Sequence, residues 1–171
     1  QLKNFAASFG QSQSAASPFL AGKAAMVVQG PWYPNFIEKY APDLEWGVVP
    51  FPAKPGIADD APMTLLISDM LVIPRGAKHP HEAFEFLRYT QRQAVAEKLA
   101  SLQRKFTALR EVSPEFIAHN PNPAIGFFSA LSRSPNARAV PRISIWRDYE
   151  IEMSVAAQNV RFLLKTPEQA P

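Results

Sequence analysis

With 171 residues, 47% hydrophobic and 19% charged, the chain is sized for one ordinary domain with a core of its own, which excludes a disordered tail. Its 18 basic and 15 acidic residues leave a net charge of +3, too mild an excess to mark a nucleic-acid binder. The absence of cysteine rules out disulfides, thiolate metal sites and a cysteine nucleophile, and no unbroken apolar run approaches the roughly 18 residues of a membrane helix.

No basic stretch followed by an apolar one marks a signal peptide, so the chain as it stands fits a cytoplasmic protein, a processed one, or a piece of one. Seventeen prolines, about a tenth of the chain against a usual ~5%, are scattered rather than repeated and predict many short, well-defined connections.

Residues 1–9, QLKNFAASF, open without a capping residue, as if a helix were entered midway. QSQSAASP (11–18) reads as a polar loop. AAMVV (24–28) is too short and too uniformly apolar for an amphipathic helix and reads as a short buried strand. It stops at Gly30, and Pro31, Trp32, Tyr33 and Pro34 follow at once. The two prolines suit the first turn of a helix, where a missing N–H costs nothing. Phe36, Ile37 and Tyr40 give that helix an apolar face, and Pro42 ends it. EWGVVPFP (45–52) reads as a second short strand, and AKPGIADDAP as a loop. TLLISDMLVIP (64–74) has the pattern of a strand interrupted by the polar pair Ser68–Asp69, which needs a reason.

Residues 79–102 form the clearest helix. Pro80 stands at its start, Glu82 in its first turn, and Phe84, Leu87, Val95, Leu99 and Leu102 line one face. NPNPA (120–124) breaks the chain. Residues 124–131 make a short helix and residues 144–164 a long one, with Ile145, Tyr149, Met153, Ala156 and Val160 in register. At 166–169, TPEQ has the capping-box pattern of Thr166 as N-cap, Pro167 at N1 and Gln169 at N3, announcing a further helix. With the uncapped opening, this implies that the chain belongs to a larger protein. There is no internal repeat.

Familiar catalytic patterns are missing: no GxGxxG, no GxxxxGK[ST], no GxSxG. Lys23 follows Gly22, but Ser17 stands where a phosphate-binding loop requires its first glycine. His79 and His81 flank Pro80 at a helix start, which suits surface histidines better than metal ligands, and nothing calls for a metal or cofactor. Asp59–Asp60 sit in a Pro/Gly loop, and Asp148 and Glu152, four apart on a helix, face one side, read as solvated. Arg133, Arg138, Arg142 and Arg147 straddle a proline-bearing loop rather than one face, so no nucleic-acid partner is expected.

Aromatic residues at element ends remain. Trp32 and Tyr33 follow a strand and Trp146 opens a long helix; such residues plug a core or form a wall of a ligand site. Strand tips and helix starts are where α/β proteins present ligands. An indole against the C–H face of a sugar is worth on the order of 1–3 kcal/mol per ring. The hydroxyls then need fixed polar partners, which Ser68 and Asp69 can supply.

Four phrases, in order, resemble the extracellular solute-binding proteins of ABC importers, the sugar-binding family that includes maltose-binding protein. They are FLAGKAAMVVQGPW, WGVVPFPAKPG, MLVIPRGAKHPHEAFEFLRY and AVPRISIWRDYEIEMSVAAQNVRFLLKTPEQA. No single phrase is diagnostic; their order over nearly the whole chain is specific. The resemblance implies an α/β, periplasmic-binding-protein-like (type II) two-lobed fold with a hinged cleft, of which this chain matches the C-terminal portion. It implies that residues 1–66 belong to the C-terminal lobe, that 67–115 cross to the N-terminal lobe, and that 116–171 return. It also implies a non-enzymatic, extracytoplasmic protein whose partners are a sugar, ABC permease subunits and its own N-terminal lobe.

By the same resemblance, Trp32 and Trp146 match tryptophans that stack on sugar. Gly30 would leave room for a ligand beside Trp32, and Tyr33 either shares that wall or turns back into the core. Ser68 and Asp69 fall where members carry small residues near the ligand, and Arg147 replaces an aromatic. An arginine there pairs with an acidic or phosphorylated group or faces water, so a charged cargo (sugar phosphate, polyamine or peptide) is the alternative. A sugar-active enzyme using the clustered acids is the third reading.

Overall fold

Proline opens four of the helical segments. A computed structural model describes residues 12–52, 55–56 and 61–170; the opening stretch 1–9 and the pair Asp59–Asp60 lie outside them. Helices α1 (Pro34–Tyr40), α2 (Pro80–Thr90) and α4 (Pro114–Ala118), and a 3-10 turn at Pro167–Gln169, all begin on proline, whose fixed φ and missing N–H suit a first turn. The remaining elements are β1 (Thr64–Leu66), α3 (Gln93–Leu102), α5 (Ile125–Ser132), β2 (Ala137–Ala139) and α6 (Trp146–Arg161).

The chain divides into two units, one of residues 28–139 and one of residues 1–27 with 140–171. In the first, β1 and β2 pair in parallel, Thr64 opposite Ala137 and Leu66 opposite Ala139, with α2 to α5 in the connection between them. Asn136 Nδ2 donates to Ala61 O at 2.8 Å and the Ser134 hydroxyl donates to Pro62 O, so side chains tie the entries of both strands. Ala100, Phe116 and Ile125 are buried together, with Phe106, Val112 and Ile117 packed around them; Tyr33 and Ile37 are also buried. Glu97 of α3 reaches the start of α4: its carboxylate accepts from Ser113 N at 2.7 Å, Ser113 Oγ at 2.8 Å and Gln93 Nε2 at 3.1 Å. Ser113 Oγ in turn caps α4 by accepting from Phe116 N.

In the second unit, Ser17 and Leu20 are buried in a tight turn that ends on Gly22, at φ +66°. Lys23 N donates to Pro18 O and Gly22 N to Phe19 O. That is the Schellman arrangement, which requires a left-handed residue and so favours glycine. The same arrangement closes α3 and α6, but there the left-handed residues are Arg104 (φ 56°) and Leu163 (φ 58°). Lys105 N reaches Ala100 O at 3.0 Å, and Leu164 N reaches Asn159 O at 2.8 Å.

Two expectations are corrected. Ala24–Val28 and residues 45–52 carry no strand, and of 64–74 only Thr64–Leu66 does; Met26, Val28, Val49, Met70 and Val72 are exposed. A strand requires a neighbour to accept its backbone hydrogen bonds, and the described residues hold only the β1–β2 pair. The single helix expected over 79–102 is two, broken at Gln91–Arg92, where Arg92 is extended and the Thr90 hydroxyl donates to Leu87 O. Because the two axes are independent, one apolar face does not run through both. Ala83, Leu87 and Thr90 turn inward on α2, and Val95, Ala96 and Ala100 on α3, while Phe84, Leu99 and Leu102 are exposed. The capping box expected at TPEQ is present: Thr166 N donates to Gln169 Oε1 at 3.1 Å and a helical turn opens at Pro167.

Candidate functional site

The turn at residues 30–33 is held from both sides. Tyr33 N donates to Gly30 O at 3.1 Å, closing the turn, and Pro34 begins α1 directly behind it. Tyr33 is only 4% exposed, and its ring lies 6.1 Å from that of Phe36. It anchors the turn, so of the two aromatics Trp32 is the half-buried one left at the surface. Gly30 is required by Trp32 itself. A Cβ at Gly30 would lie 2.7 Å from Trp32 Cε3 and nearer still to Cζ3 and Cη2. The room beside Gly30 is thus filled by the indole rather than left open to a ligand.

Two asparagine amides fasten this turn to the end of α3. Asn122, 1% exposed, donates through Nδ2 to Pro31 O at 2.9 Å and to Arg104 O at 3.1 Å. Its Oδ1 accepts from Ala124 N at 2.9 Å, and its own N–H donates to Asn120 Oδ1 at 3.0 Å. A buried amide with both N–H donors and its oxygen engaged holds its neighbours in one arrangement. Asn35 Nδ2 likewise donates to Trp32 O at 2.9 Å and Gln103 O at 3.1 Å. The left-handed turn at Arg104 sends the next residue back over the tryptophan. Lys105 Nζ stands 5.8 Å from the Trp32 ring centroid and donates to Asp69 Oδ2 at 2.7 Å. Ser68 Oγ donates to Asp69 O at 3.2 Å. Beside them, the Arg104 guanidinium pairs with the Glu38 carboxylate.

The unit of residues 28–139 therefore brings together Gly30, Trp32, Ser68 and Asp69 from the sequence expectation and adds Lys105, Arg104, Glu38, Asn35 and Asn122. None of these five lies in a recognisable motif. The one available signal was Asn122 between two prolines, since asparagine in a turn bonds its own backbone.

In the other unit, Trp146 is the first residue of α6, with its ring 5.4 Å from that of Tyr149. Its Nε1 is buried and has no hydrogen-bond partner. Arg147 is exposed and lines a shallow groove with Glu150, Ile151, Ser154 and Gln158 along one face of the helix. Asp148 and Glu152 are exposed. His79 and Glu82 are both exposed, 3.9 Å apart at the start of α2. The Arg138 guanidinium donates to Pro135 O, just before its own strand, and to Ala137 O within it. No described helix is long and apolar enough to cross a membrane, and no cluster of three or more His, Asp or Glu side chains is placed to hold a metal among the described residues.

The turn thus presents an aromatic beside a carboxylate and an ammonium in a mixed α/β unit. The model of the bacterial extracellular solute-binding protein family matches residues 1–97, and the chain belongs to that family. It is 26% identical over 142 residues to a binding protein of Brucella abortus (strain 2308) and to one of Brucella suis biovar 1 (strain 1330). Each match covers 83% of this chain and 33% of the relative. The solved structure of CpMnBP1 with mannobiose bound matches 99% of this chain and 42% of its own, with a TM-score of 0.81 and 27% identity. The α/β fold of a solute-binding protein is therefore shown, and the chain spans about a third of the length of the curated relatives it matches.

Proposed function

We propose that this chain forms part of the carbohydrate-binding subunit of an ABC importer. In that reading the protein works outside the cytoplasm, closes over a di- or oligosaccharide and delivers it to membrane permease subunits without chemical change. The observation that carries it is Trp32, an indole left half-buried at the surface on a turn locked by Asn35, Asn122 and buried Tyr33. A ring held this way loses little freedom when an apolar sugar face covers it. Family membership and the mannobiose in the similar structure support the same reading. The resemblance in sequence separately proposes Trp146, Arg147 and Ser68 as ligand residues and lobe boundaries near residues 66 and 115.

The test is titration of the full-length protein with mannobiose, maltose and cellobiose, followed by tryptophan fluorescence and calorimetry. At least one sugar should change the emission and bind. Trp32→Ala should then weaken it roughly 5- to 150-fold, the equivalent of about 1–3 kcal/mol of stacking. Unchanged affinity in both Trp32→Ala and Trp146→Ala overturns the stacking role. Release of a cleavage product from any of these sugars would instead support an enzyme.

A further inference from the structure

We infer that Lys105 and Asp69 together determine the specificity of this site: paired over Trp32, they bind adjacent hydroxyls of an uncharged sugar, and the Asp69 carboxylate disfavours a phosphorylated one. The inference rests on the carbohydrate reading above and deepens it.

The geometry is that of a donor beside an acceptor. An ammonium has three N–H donors, and one of them is engaged by Asp69 Oδ2 at 2.7 Å. The Asp69 side chain is 81% exposed and that of Lys105 31%. The carboxylate thus keeps open acceptor sites, and the ammonium keeps donors on its accessible side. A sugar hydroxyl both donates and accepts, so two neighbouring hydroxyls match such a couple, one giving to Asp69 and the next receiving from Lys105. At 5.8 Å from the ring centroid, Lys105 Nζ stands about 2 Å beyond van der Waals contact with the indole. It lies over the ring, so a sugar that reaches the indole also comes within reach of this ammonium.

Charge decides between ligand classes. Both cations that follow α3 carry a carboxylate, Arg104 with Glu38 and Lys105 with Asp69. Each pair is neutral in sum, and a phosphate approaching Lys105 would meet the Asp69 carboxylate along with the lysine. A neutral sugar incurs no such repulsion. The lysine is also placed by structure rather than by chance. Its N–H is bound to Ala100 O, and the preceding carbonyl is held by buried Asn122.

Full-length wild type, Lys105→Met, Lys105→Arg and Asp69→Asn are compared by calorimetry with the same three disaccharides and with glucose 6-phosphate, after each variant's melting curve confirms folding. Lys105→Met should weaken the best disaccharide about tenfold or more, the loss expected for a charge-assisted hydrogen bond. Lys105→Arg should recover part of that loss. Asp69→Asn, which frees the ammonium, should weaken the disaccharide and raise affinity for glucose 6-phosphate. A wild type that binds a disaccharide while Lys105→Met binds it within twofold overturns the role of Lys105 and leaves the carbohydrate reading standing. A wild type that prefers glucose 6-phosphate overturns the neutral selectivity. A wild type that binds none of the sugars overturns both.

Discussion

Asn122 joins two segments far apart in sequence through one side chain, and nothing of this could be read from NPNPA beyond a break in the chain. Its amide is buried and meets two carbonyls and one N–H. Asn122→Ala would leave Pro31 O and Arg104 O without a donor, at a cost of about 1–3 kcal/mol for buried polar groups left unpaired. Urea unfolding should show that loss, and the emission of Trp32 should change even without ligand. Gly30 is the second such position. Gly30→Ala places a methyl where the indole lies, so the ring must move. The expected result is weaker sugar binding with a shifted tryptophan emission, and an unchanged spectrum would show that the turn relaxes elsewhere. Trp32 itself was legible as an aromatic at an element end. Whether it or Tyr33 faced the surface was not, because adjacent residues of a turn point in directions that only the packing of α1 decides.

The helix ends are where elements carry energy that patterns do not reveal. Leu163 occupies a left-handed conformation at the end of α6, which costs a side-chain-bearing residue roughly 1 kcal/mol relative to glycine. Leu163→Gly, at an exposed site, should raise stability by up to about that amount, measurable as a higher melting temperature. The α3–α4 junction depends on protonation. Burial pushes the Glu97 carboxyl up, but hydrogen bonds from the Ser113 backbone, Gln93 and the Ser113 hydroxyl outweigh it and hold the group below its ordinary value of 4.5. A carboxyl whose folded-state pKa is depressed contributes stability above its unfolded-state pKa. That contribution disappears as pH falls through the folded-state value. Acid unfolding below pH 4.5 should therefore be less steep in Glu97→Gln than in wild type. Proline placed the starts of α1 and α2 correctly, since its φ and missing N–H act locally. The break between α2 and α3 carries no Gly or Pro and was not legible, because it turns on how Thr90 and Arg92 meet their surroundings.

Over the chain as a whole, apolar side chains are exposed in clusters. Met26 and Val28, Val49 and Phe51, and Ile67 with Met70, Leu71 and Val72 all lie open, as do Tyr149, Ile151 and Met153 on α6. Surface of this extent promotes association. The 171-residue chain expressed alone should self-associate at micromolar concentration and bind a hydrophobic dye. Light scattering after size exclusion would show it, and a clean monomer without dye binding would mean that these segments find cover within the chain.

The sequence by itself determined the family, the starts of α1 and α2 and the tryptophan on its turn, because each follows from local chemistry or from phrases in a fixed order. It did not determine which apolar runs become strands, since a ladder requires a partner that composition does not supply. Nor did it mark Lys105. That residue meets Asp69 and Trp32 only after Arg104 turns left-handed and Asn122 binds the two backbones together. A contact across 36 or 73 residues is a property of packing, not of spacing along the chain.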